Sequence, residues 1–264
     1  MATLKLIVLL YFFLLSDGSP FPRSELIYGG HRTAGPKFPF HAVFWKDDFG
    51  FFCGGSIIDE AHILTAGHCA SFVLSNGTTT VYGGVWDLER RQDAYVQKSG
   101  IKNIIIHPLY NETSLEHDIA IIELENPFKI TYTVQTVEVL ANDGFLRKPI
   151  PHGAVLEIGF GALSESFNES AKPETPPSRY LKYAPVKMVK LAACRKSYAE
   201  ANSKPVIFPV TSDNLCTTSD PGARNGDSGS PVLFYDKNVL KFRQFGLISN
   251  GIADQQGNLP GSPA

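Results

Sequence analysis

Gly226-Asp227-Ser228-Gly229-Ser230-Pro231 is the stretch of this chain that decides how the rest is interpreted. It places a serine between two glycines, with an acid directly before the serine. A serine hydroxyl is a weak nucleophile at neutral pH, and it reacts only when a neighbouring base takes its proton. Glycine, aspartate, serine and proline all favour turns, so the stretch is equally compatible with an ordinary surface turn. A catalytic interpretation therefore requires a base and an orienting acid elsewhere in the chain.

The composition is that of a globular protein without a basic surface. Of the 264 residues, 43% are hydrophobic and 19% are charged, and the formal net charge is −2. This length suits one large or two modest domains. Because nucleic-acid-binding proteins carry clustered positive charge, we expect no nucleic-acid partner.

The first residues have the pattern of a secretory signal peptide. Lys5 provides a positive flank, residues 6–15 form an unbroken apolar run, and Ser16-Asp17-Gly18 offers small residues for cleavage. A transmembrane helix needs about 20 apolar residues, so this run is too short to span a bilayer. We therefore predict a signal peptide over residues 1–18, secretion to the extracellular space and no membrane anchor.

The cysteine content agrees with secretion. An even set of four cysteines in an exported chain predicts two disulfides, but spacing alone leaves three connectivities open. The four are Cys53, Cys69, Cys194 and Cys216. No Cys-x-x-Cys or His-x-x-x-His spacing supports zinc as a competing interpretation, so we expect no metal and no other cofactor.

Three Asn-x-Ser/Thr motifs agree with export as well. They begin at Asn76, Asn111 and Asn168. Each is a predicted glycosylation site, provided that it lies on an exposed loop. Such motifs also occur by chance, so they support secretion without deciding it.

Short β-branched and aromatic runs, bounded by turn residues, predict an all-β chain. The predicted strands are 39–45, 50–58, 61–66, 101–107, 119–124, 154–160, 181–189, 206–210, 231–235 and 239–249. Residues 189–202 are predicted to form the one helix of ordinary length, because alanines and i,i+4 charge pairs favour it. The polar segment 141–151 marks a boundary between two all-β halves, and 163–179 is predicted to be a long surface loop.

The base must come from one of seven histidines, all of which precede Ser228. An α/β-hydrolase orders its catalytic residues as serine, acid and histidine, so that fold is excluded. His68 lies at the end of an apolar predicted strand beside Cys69, where a disulfide would fix the direction of its imidazole. Asp118 stands at the start of a strongly apolar strand. It needs a partner such as a histidine N–H, because an unpaired buried charge is costly.

Five motifs in this order resemble the chymotrypsin-like serine proteases over residues 27–261. They are Ile27-Tyr28-Gly29-Gly30, Thr65-Ala66-Gly67-His68-Cys69, His107-Pro108-Leu109-Tyr110-Asn111, His117-Asp118-Ile119-Ala120 and the stretch quoted first. The resemblance implies two antiparallel six-stranded β-barrels with the active site in the cleft between them. It places the first barrel at 27–140, with its amino-terminal segment packing on the second barrel at 141–264. Together they form one peptidase domain, 27–264.

The resemblance implies a role for each residue of the constellation. Ser228 attacks the scissile carbonyl of a polypeptide, His68 passes the proton to the leaving amine, and Asp118 holds the imidazole in the useful tautomer. The backbone N–H groups of Gly226 and Ser228 form the oxyanion hole.

The resemblance also implies a zymogen. Cleavage before Ile27 removes a short propeptide, residues 19–26, and frees an α-amine that pairs with Asp227 and orders the oxyanion loop. An activating protease is then a required partner. Without this role, Asp227 is a turn-capping acid. Leu26 stands where a basic residue is usual, so the activating protease is expected to prefer an apolar residue.

By the same resemblance, Cys53 pairs with Cys69, and Cys194 pairs with Cys216. The implied substrate pocket involves Gly222, Asn225, Ser249 and Gly251.

Several residues depart from the family pattern. Gly222 lies six residues before Ser228, where a trypsin carries the aspartate that binds Lys or Arg, so we predict no preference for basic residues. Arg224 replaces a half-cystine, Asn250 replaces an aromatic residue and Ser230 replaces a glycine. Relatives continue beyond Pro-Gly into a strand and a helix that together span about 17 residues. We therefore expect the second barrel to be incomplete at its carboxy-terminal end, with an uncovered edge.

Two functions are compatible with these observations. The first is a secreted, monomeric serine endopeptidase that acts through an acyl-enzyme intermediate and meets protein inhibitors as further partners. The second is a catalytically inactive secreted homologue that binds or regulates other proteins. The complete triad favours the enzyme, whereas the substituted pocket and Leu26 favour the binding protein.

Overall fold

The computed structural model describes the chain in seven segments. They are residues 30–75, 77–140, 155–161, 176–201, 208–218, 222–251 and 262–263. The predicted signal peptide and propeptide, Ile27 and the boundary segment that begins at residue 141 lie outside the described residues.

Strands are the main secondary structure of the described residues, which confirms the all-β prediction. The strands are β1 (His31–Arg32), β2 (His41–Lys46), β3 (Gly50–Ile57), β4 (His62–Thr65), β5 (Thr79–Gly83), β6 (Gln97–Ser99), β7 (Ile101–Ile106), β8 (Ala120–Leu124), β9 (Glu138–Val139), β10 (Val155–Gly159), β11 (Lys182–Val186), β12 (Met188–Val189), β13 (Cys216–Thr217), β14 (Pro231–Asp236), β15 (Lys241–Leu247) and β16 (Ser262–Pro263). The helices are α1 (Gly67–Leu74), α2 (Leu191–Ala201) and a short 3-10 helix, Leu88–Arg90. Within the described segments, no helix has both the length and the apolar character that crossing a membrane requires.

The strands form three sheets. The first half builds a seven-stranded sheet in the order β6-β5-β2-β3-β4-β8-β7, one strand more than expected. The second half supplies most of a six-stranded sheet, β1-β11-β10-β14-β15-β9, and a three-stranded sheet, β12-β13-β16. Two short strands cross from the first half: β1 pairs with β11, and β9 runs parallel to β15. The arrangement agrees with the two-barrel class of fold.

Most predicted strands and the predicted helix begin and end within two residues of the observed bounds. The strand predicted at 206–210 is wrong in its described part, because residues 208–210 join no ladder. There the carbonyl oxygen of Val210 accepts a hydrogen bond from the Arg195 side chain, at 2.8 Å, instead of from a neighbouring strand. The predicted strand 181–189 is divided into β11 and β12. The prediction missed α1, the strands β5 and β6, and the two-residue strands β1, β9, β13 and β16.

Helix α1 has no side-chain cap at its amino-terminal end, where Ala66 is the N-cap residue. Its other end is held from the neighbouring strand β2. Lys46 is buried, and its Nζ donates hydrogen bonds to the carbonyl oxygens of Phe72 and Ser75 and to Ser75 Oγ. A cation at this position satisfies the free carbonyls of the last turn and interacts favourably with the helix dipole. Because α1 carries His68, Lys46 supports the helix that positions the candidate base.

One hydrophobic core lies inside the seven-stranded sheet, and another lies between the halves. The first includes Phe44, Ile57 and Ile122 from three separate strands, so the sheet curls around it. The second joins Phe51 of β3 to Phe160, which follows β10, with ring centroids 5.6 Å apart. This second core fixes the two halves against each other at the level of the candidate site.

Replacing Lys46 by methionine keeps most of the side-chain volume and removes the charged donor. We expect the free energy of unfolding to fall by about 2–3 kcal/mol, because the hydrogen bonds from a charged donor are lost. Urea unfolding at pH 7 measures the change. Lys98→Met is the control, because Lys98 is exposed on β6 and has no ion pair among the described residues. Equal losses in the two variants would contradict this account of α1.

Candidate active site

His68 and Asp118 meet although 50 residues separate them. The side-chain Nδ1–H of His68 donates to Asp118 Oδ2 at 2.8 Å, and the backbone N–H of His68 donates to Asp118 Oδ1 at 2.7 Å. An ionised carboxylate only accepts hydrogen bonds, so Nδ1 must carry the proton and Nε2 keeps its lone pair. The His68 side chain is 29% exposed, whereas that of Asp118 is 3% exposed. The histidine is thus held in the tautomer that leaves Nε2 as the basic atom, and this Nε2 lies 3.7 Å from Cys69 Sγ.

The Asp118 carboxylate has a third donor, the hydroxyl of Ser249, which bonds to Oδ2. Burial by itself raises the pKa of Asp118, but the hydrogen bonds from His68 and Ser249 outweigh burial and leave that pKa below its ordinary value. Asp118 is therefore ionised at neutral pH. It accepts hydrogen bonds from both halves of the chain at once.

Ser228 lies in the tight turn that the Gly226–Pro231 stretch forms. Gly226 has φ +95° and Gly229 has φ +78°, which are left-handed values that glycine adopts without strain. The carbonyl oxygen of Ser228 accepts a hydrogen bond from the N–H of Gly54 on β3 at 2.8 Å. Within the described part of the chain, neither Gly226 N–H nor Ser228 N–H has an acceptor, and no hydrogen bond joins Ser228 Oγ to His68 Nε2. The turn is anchored to β3 through the Ser228 carbonyl oxygen.

Asp227 is buried in a cradle of backbone N–H groups. Its Oδ1 accepts from Gly161 at 2.6 Å, and its Oδ2 accepts from Arg224 at 2.8 Å. A Cβ at Gly159 would lie 1.9 Å from Asp227 Oδ1, and one at Gly161 would lie 2.3 Å from Oδ2, so both positions need glycine. Burial raises the pKa of Asp227 to about 6, although these N–H groups act to lower it. Its predicted partner, Ile27, lies outside the described residues.

Glu157 is a second buried acid beside this segment, and the sequence analysis did not identify it. Its Oε1 accepts from the Thr217 hydroxyl at 2.6 Å, and its Oε2 accepts from the N–H of Ala223 at 2.8 Å. Burial raises the pKa of Glu157 to about 7, and the charge of Asp227 acts in the same direction. An acid inside an otherwise apolar predicted strand was the signal in the sequence. Consecutive residues, Ala223 and Arg224, therefore donate their N–H groups to two different buried carboxyls.

The four predicted pocket residues differ in their surroundings. Ser249 contacts Asp118 through its hydroxyl. Gly222 is buried, Asn225 is exposed and Gly251 is half-buried. Residues 219–221 and 252–261, which neighbour these positions in the chain, lie outside the described segments. Their role in a substrate pocket therefore stays a prediction.

Both disulfides that the resemblance implied are present. Cys53–Cys69 joins β3 to α1 next to His68, and Cys194–Cys216 joins α2 to β13. Ligand atoms of Cys53, His68 and Cys69 lie within 4.8 Å of one another. Because these two cysteines are bonded to each other, they provide no thiolate for a metal ion.

The glycosylation motif at Asn111 lies on an exposed loop. Its Oδ1 accepts a hydrogen bond from the N–H of Thr113 at 2.9 Å, which forms a local side-chain turn. The exposure that glycosylation requires is therefore met at Asn111, whereas Asn76 and Asn168 lie outside the described residues.

Comparison with known proteins agrees with this geometry. Residues 27–263 match the family described as Trypsin. A trypsin of Simulium vittatum is 29% identical over 242 residues, which cover 89% of this chain and 86% of the relative. Clotting factor C of Tachypleus tridentatus is 28% identical over 246 residues, which cover 87% of this chain and 23% of the relative. The serine proteinase stubble of Drosophila melanogaster is 27% identical over 245 residues, which cover 89% of this chain and 29% of the relative.

An all-β fold of two halves, with a histidine–carboxylate pair and a glycine-bounded serine turn, defines the class of chymotrypsin-like serine proteases. The family match covers most of the chain. The chain belongs to the trypsin family of serine proteases. It spans less than a third of the length of clotting factor C and stubble.

Glu157→Gln tests the buried carboxyl through the pH dependence of stability. Burial raises the pKa of Glu157 in the folded state to about 7, above its ordinary value of 4.5, so the folded state keeps a proton that the unfolded state has already lost. The stability that Glu157 contributes therefore falls as pH rises from about 4.5 to 7. Glutamine has nothing to ionise and can still accept from Ala223.

We expect the difference in unfolding free energy, wild type minus Glu157→Gln, to fall by about 2–3 kcal/mol between pH 5 and pH 8. Denaturant unfolding at both pH values measures it. Taking the difference cancels the pH-dependent contributions of groups that the two proteins share, such as His41. Parallel pH dependences of the two proteins would contradict the raised pKa.

Proposed function

We propose that this chain is a secreted serine endopeptidase that is made as a zymogen. Ser228 Oγ attacks the scissile carbonyl while His68 Nε2 takes its proton and then donates it to the leaving amine. Water attacks the resulting acyl-enzyme with His68 again as the base. Asp118 stabilises the imidazolium at each step, and the N–H groups of Gly226 and Ser228 stabilise the oxyanion.

The observation that carries this proposal is the pair of hydrogen bonds from His68 to Asp118. They hold the proton on Nδ1 and leave Nε2 as the basic atom, which is the arrangement that serine activation needs. The N–H groups of Gly226 and Ser228, which have no acceptor among the described residues, support the same proposal. A polypeptide substrate, an activating protease and protein inhibitors are the partners that this function entails.

The zymogen part of the proposal is supported by Asp227. A buried carboxyl whose pKa is raised by burial gains strongly from a nearby cation, and a new α-amine at Ile27 would supply one. Secretion is supported by the pattern of residues 1–18. The absence of an acid at Gly222 supports a pocket that does not prefer Lys or Arg.

A second candidate function is that of a non-catalytic binding protein. It is favoured by the missing hydrogen bond between Ser228 Oγ and His68 Nε2 among the described residues, and by the substitution at Asn250. Catalytic hydrogen bonds often form fully only in the substrate complex. The missing Ser228–His68 bond is therefore weaker evidence against catalysis than the His68–Asp118 bond is for it.

A fluorophosphonate probe separates the two functions. Residues 23–26 are replaced by the recognition sequence of a chosen protease, so that cleavage creates a terminus at Ile27. We expect the cleaved protein to be labelled at least about 100-fold faster than the uncleaved one, because ordering one oxyanion donor is worth this much in rate. Ser228→Ala should not be labelled. No labelling after confirmed cleavage would favour the binding protein.

Peptide substrates that differ in the residue before the scissile bond test the pocket. We expect a higher kcat/KM for Phe or Leu than for Arg, because Gly222 offers no charge to a guanidinium. Gly222→Asp should raise kcat/KM for Arg by about tenfold or more, since a partly desolvated ion pair is gained. A wild-type enzyme that prefers Arg would contradict the proposed specificity.

A further inference from the structure

Ser230 and His41 form a buried hydrogen bond between the two halves of the fold. Ser230 Oγ lies 3.1 Å from His41 Nε2, and both residues are almost completely buried. His41 begins β2 in the first half, whereas Ser230 lies two residues after the proposed nucleophile. The proposed reaction uses neither side chain.

The imidazole of His41 is neutral at neutral pH, because burial lowers its pKa to about 3. Its Nδ1 has no hydrogen-bond partner within the described segments. The bond to Ser230 is therefore the one hydrogen bond of this ring among the described residues. Nε2–H donates to Ser230 Oγ in one tautomer, and the Ser230 hydroxyl donates to Nε2 in the other.

Gly54 brings the backbone of β3 directly against this pair. A Cβ at Gly54 would lie 1.9 Å from Ser230 Oγ and 2.9 Å from His41 Nε2. The N–H of Gly54 also donates to the carbonyl oxygen of Ser228 at 2.8 Å. The nucleophile turn is thus attached to the first half at two points, the carbonyl of Ser228 and the hydroxyl of Ser230.

The pair is not a second catalytic dyad, although a serine and a histidine lie at hydrogen-bond distance. A catalytic histidine needs an orienting partner at its other ring nitrogen, and a nucleophile needs access to substrate. His41 Nδ1 has no such partner among the described residues, and Ser230 is 0% exposed. The remaining role of the His41–Ser230 bond is structural, and it acts on the adjacent turn.

We propose that Ser230 is a positioning residue for Ser228 and acts through its hydrogen bond to His41. The bond keeps the turn 226–229 against β3, which fixes the direction of Ser228 Oγ and of the oxyanion N–H groups relative to His68. The inference rests on the proposed endopeptidase function. The family resemblance leads us to expect glycine at position 230, and glycine has no hydroxyl. The attachment through Ser230 is therefore a feature of this chain rather than of the family pattern.

Ser230→Ala in the cleaved protein tests the inference. The variant leaves Nε2 of His41 buried without its hydrogen-bond partner. We expect kcat to fall about tenfold while KM changes by less than about twofold, because substrate contacts remain and the attacking geometry does not. Active-site titration corrects for any unfolded protein. In His41→Phe/Ser230→Ala, kcat should fall no further than in His41→Phe alone, because both changes remove the same bond.

Ser56→Ala is the matched control. Ser56 is buried on β3, pairs with His41 in the ladder, and has a hydroxyl without a partner among the described residues. The Ser56→Ala substitution removes a buried hydroxyl next to the same histidine without breaking a hydrogen bond. We expect its kcat to stay within about twofold of wild type.

Amide hydrogen exchange at Gly54 gives a readout that does not need activity. Its N–H is bonded to Ser228 O, so a loosened turn should exchange it about tenfold faster in Ser230→Ala and at the wild-type rate in Ser56→Ala. Ser230→Ala protein that matches Ser56→Ala in kcat and in Gly54 exchange would overturn the inference, whatever its Tm. Failure of the endopeptidase proposal is seen separately, as absent fluorophosphonate labelling of wild type. Faster Gly54 exchange would then still support the attachment of the turn.

Discussion

The close approach of the nucleophile turn to the first half is the constraint on which the site depends. A Cβ at Gly229 would lie 2.2 Å from Thr65 Oγ1 and 2.4 Å from the carbonyl oxygen of Gly54, so only glycine leaves room there. Thr65 is the last residue of β4, directly before the helix that carries His68. The contact that seats the turn therefore also sets its position relative to that helix. The position of the serine turn relative to the histidine helix is thus set by the packing of two backbones.

The electrostatic support of the turn is costly for the folded protein. Burial raises the pKa of Asp227 to about 6 and that of Glu157 to about 7, because the ionised forms lose their hydration. The N–H groups of Arg224 and Ala223 recover part of this cost. Two acids in one buried region also oppose each other's ionisation. A positive charge delivered there is therefore strongly favoured, which gives the proposed activation by an α-amine at Ile27 a physical driving force.

The sequence revealed the reacting groups better than the contacts that hold them. His68 and Asp118 could be predicted because a buried acid needs a donor, and because an imidazole beside a half-cystine has a fixed direction. Helix α1 was missed because its support comes from Lys46 and a disulfide rather than from local capping residues. Glu157 was visible as an acid in an apolar strand. Its partners, however, lie 60 and 66 residues away, and such pairings leave no periodic pattern in the sequence.

The departures from the family pattern differ in their physical consequences. Ser230, in place of glycine, has a hydrogen-bond partner in His41, and Asn250, in place of an aromatic residue, accepts a hydrogen bond from the Tyr198 hydroxyl at 3.1 Å. In both cases the polar group has a hydrogen-bond partner, so the substitution leaves no buried polar group unpaired there. Gly222 is another kind of change, because it takes away a charge and supplies no substitute among the described residues. Changes of the first kind are compensated by a new bond, whereas the change at Gly222 is the basis of the proposed preference for substrates without a basic side chain.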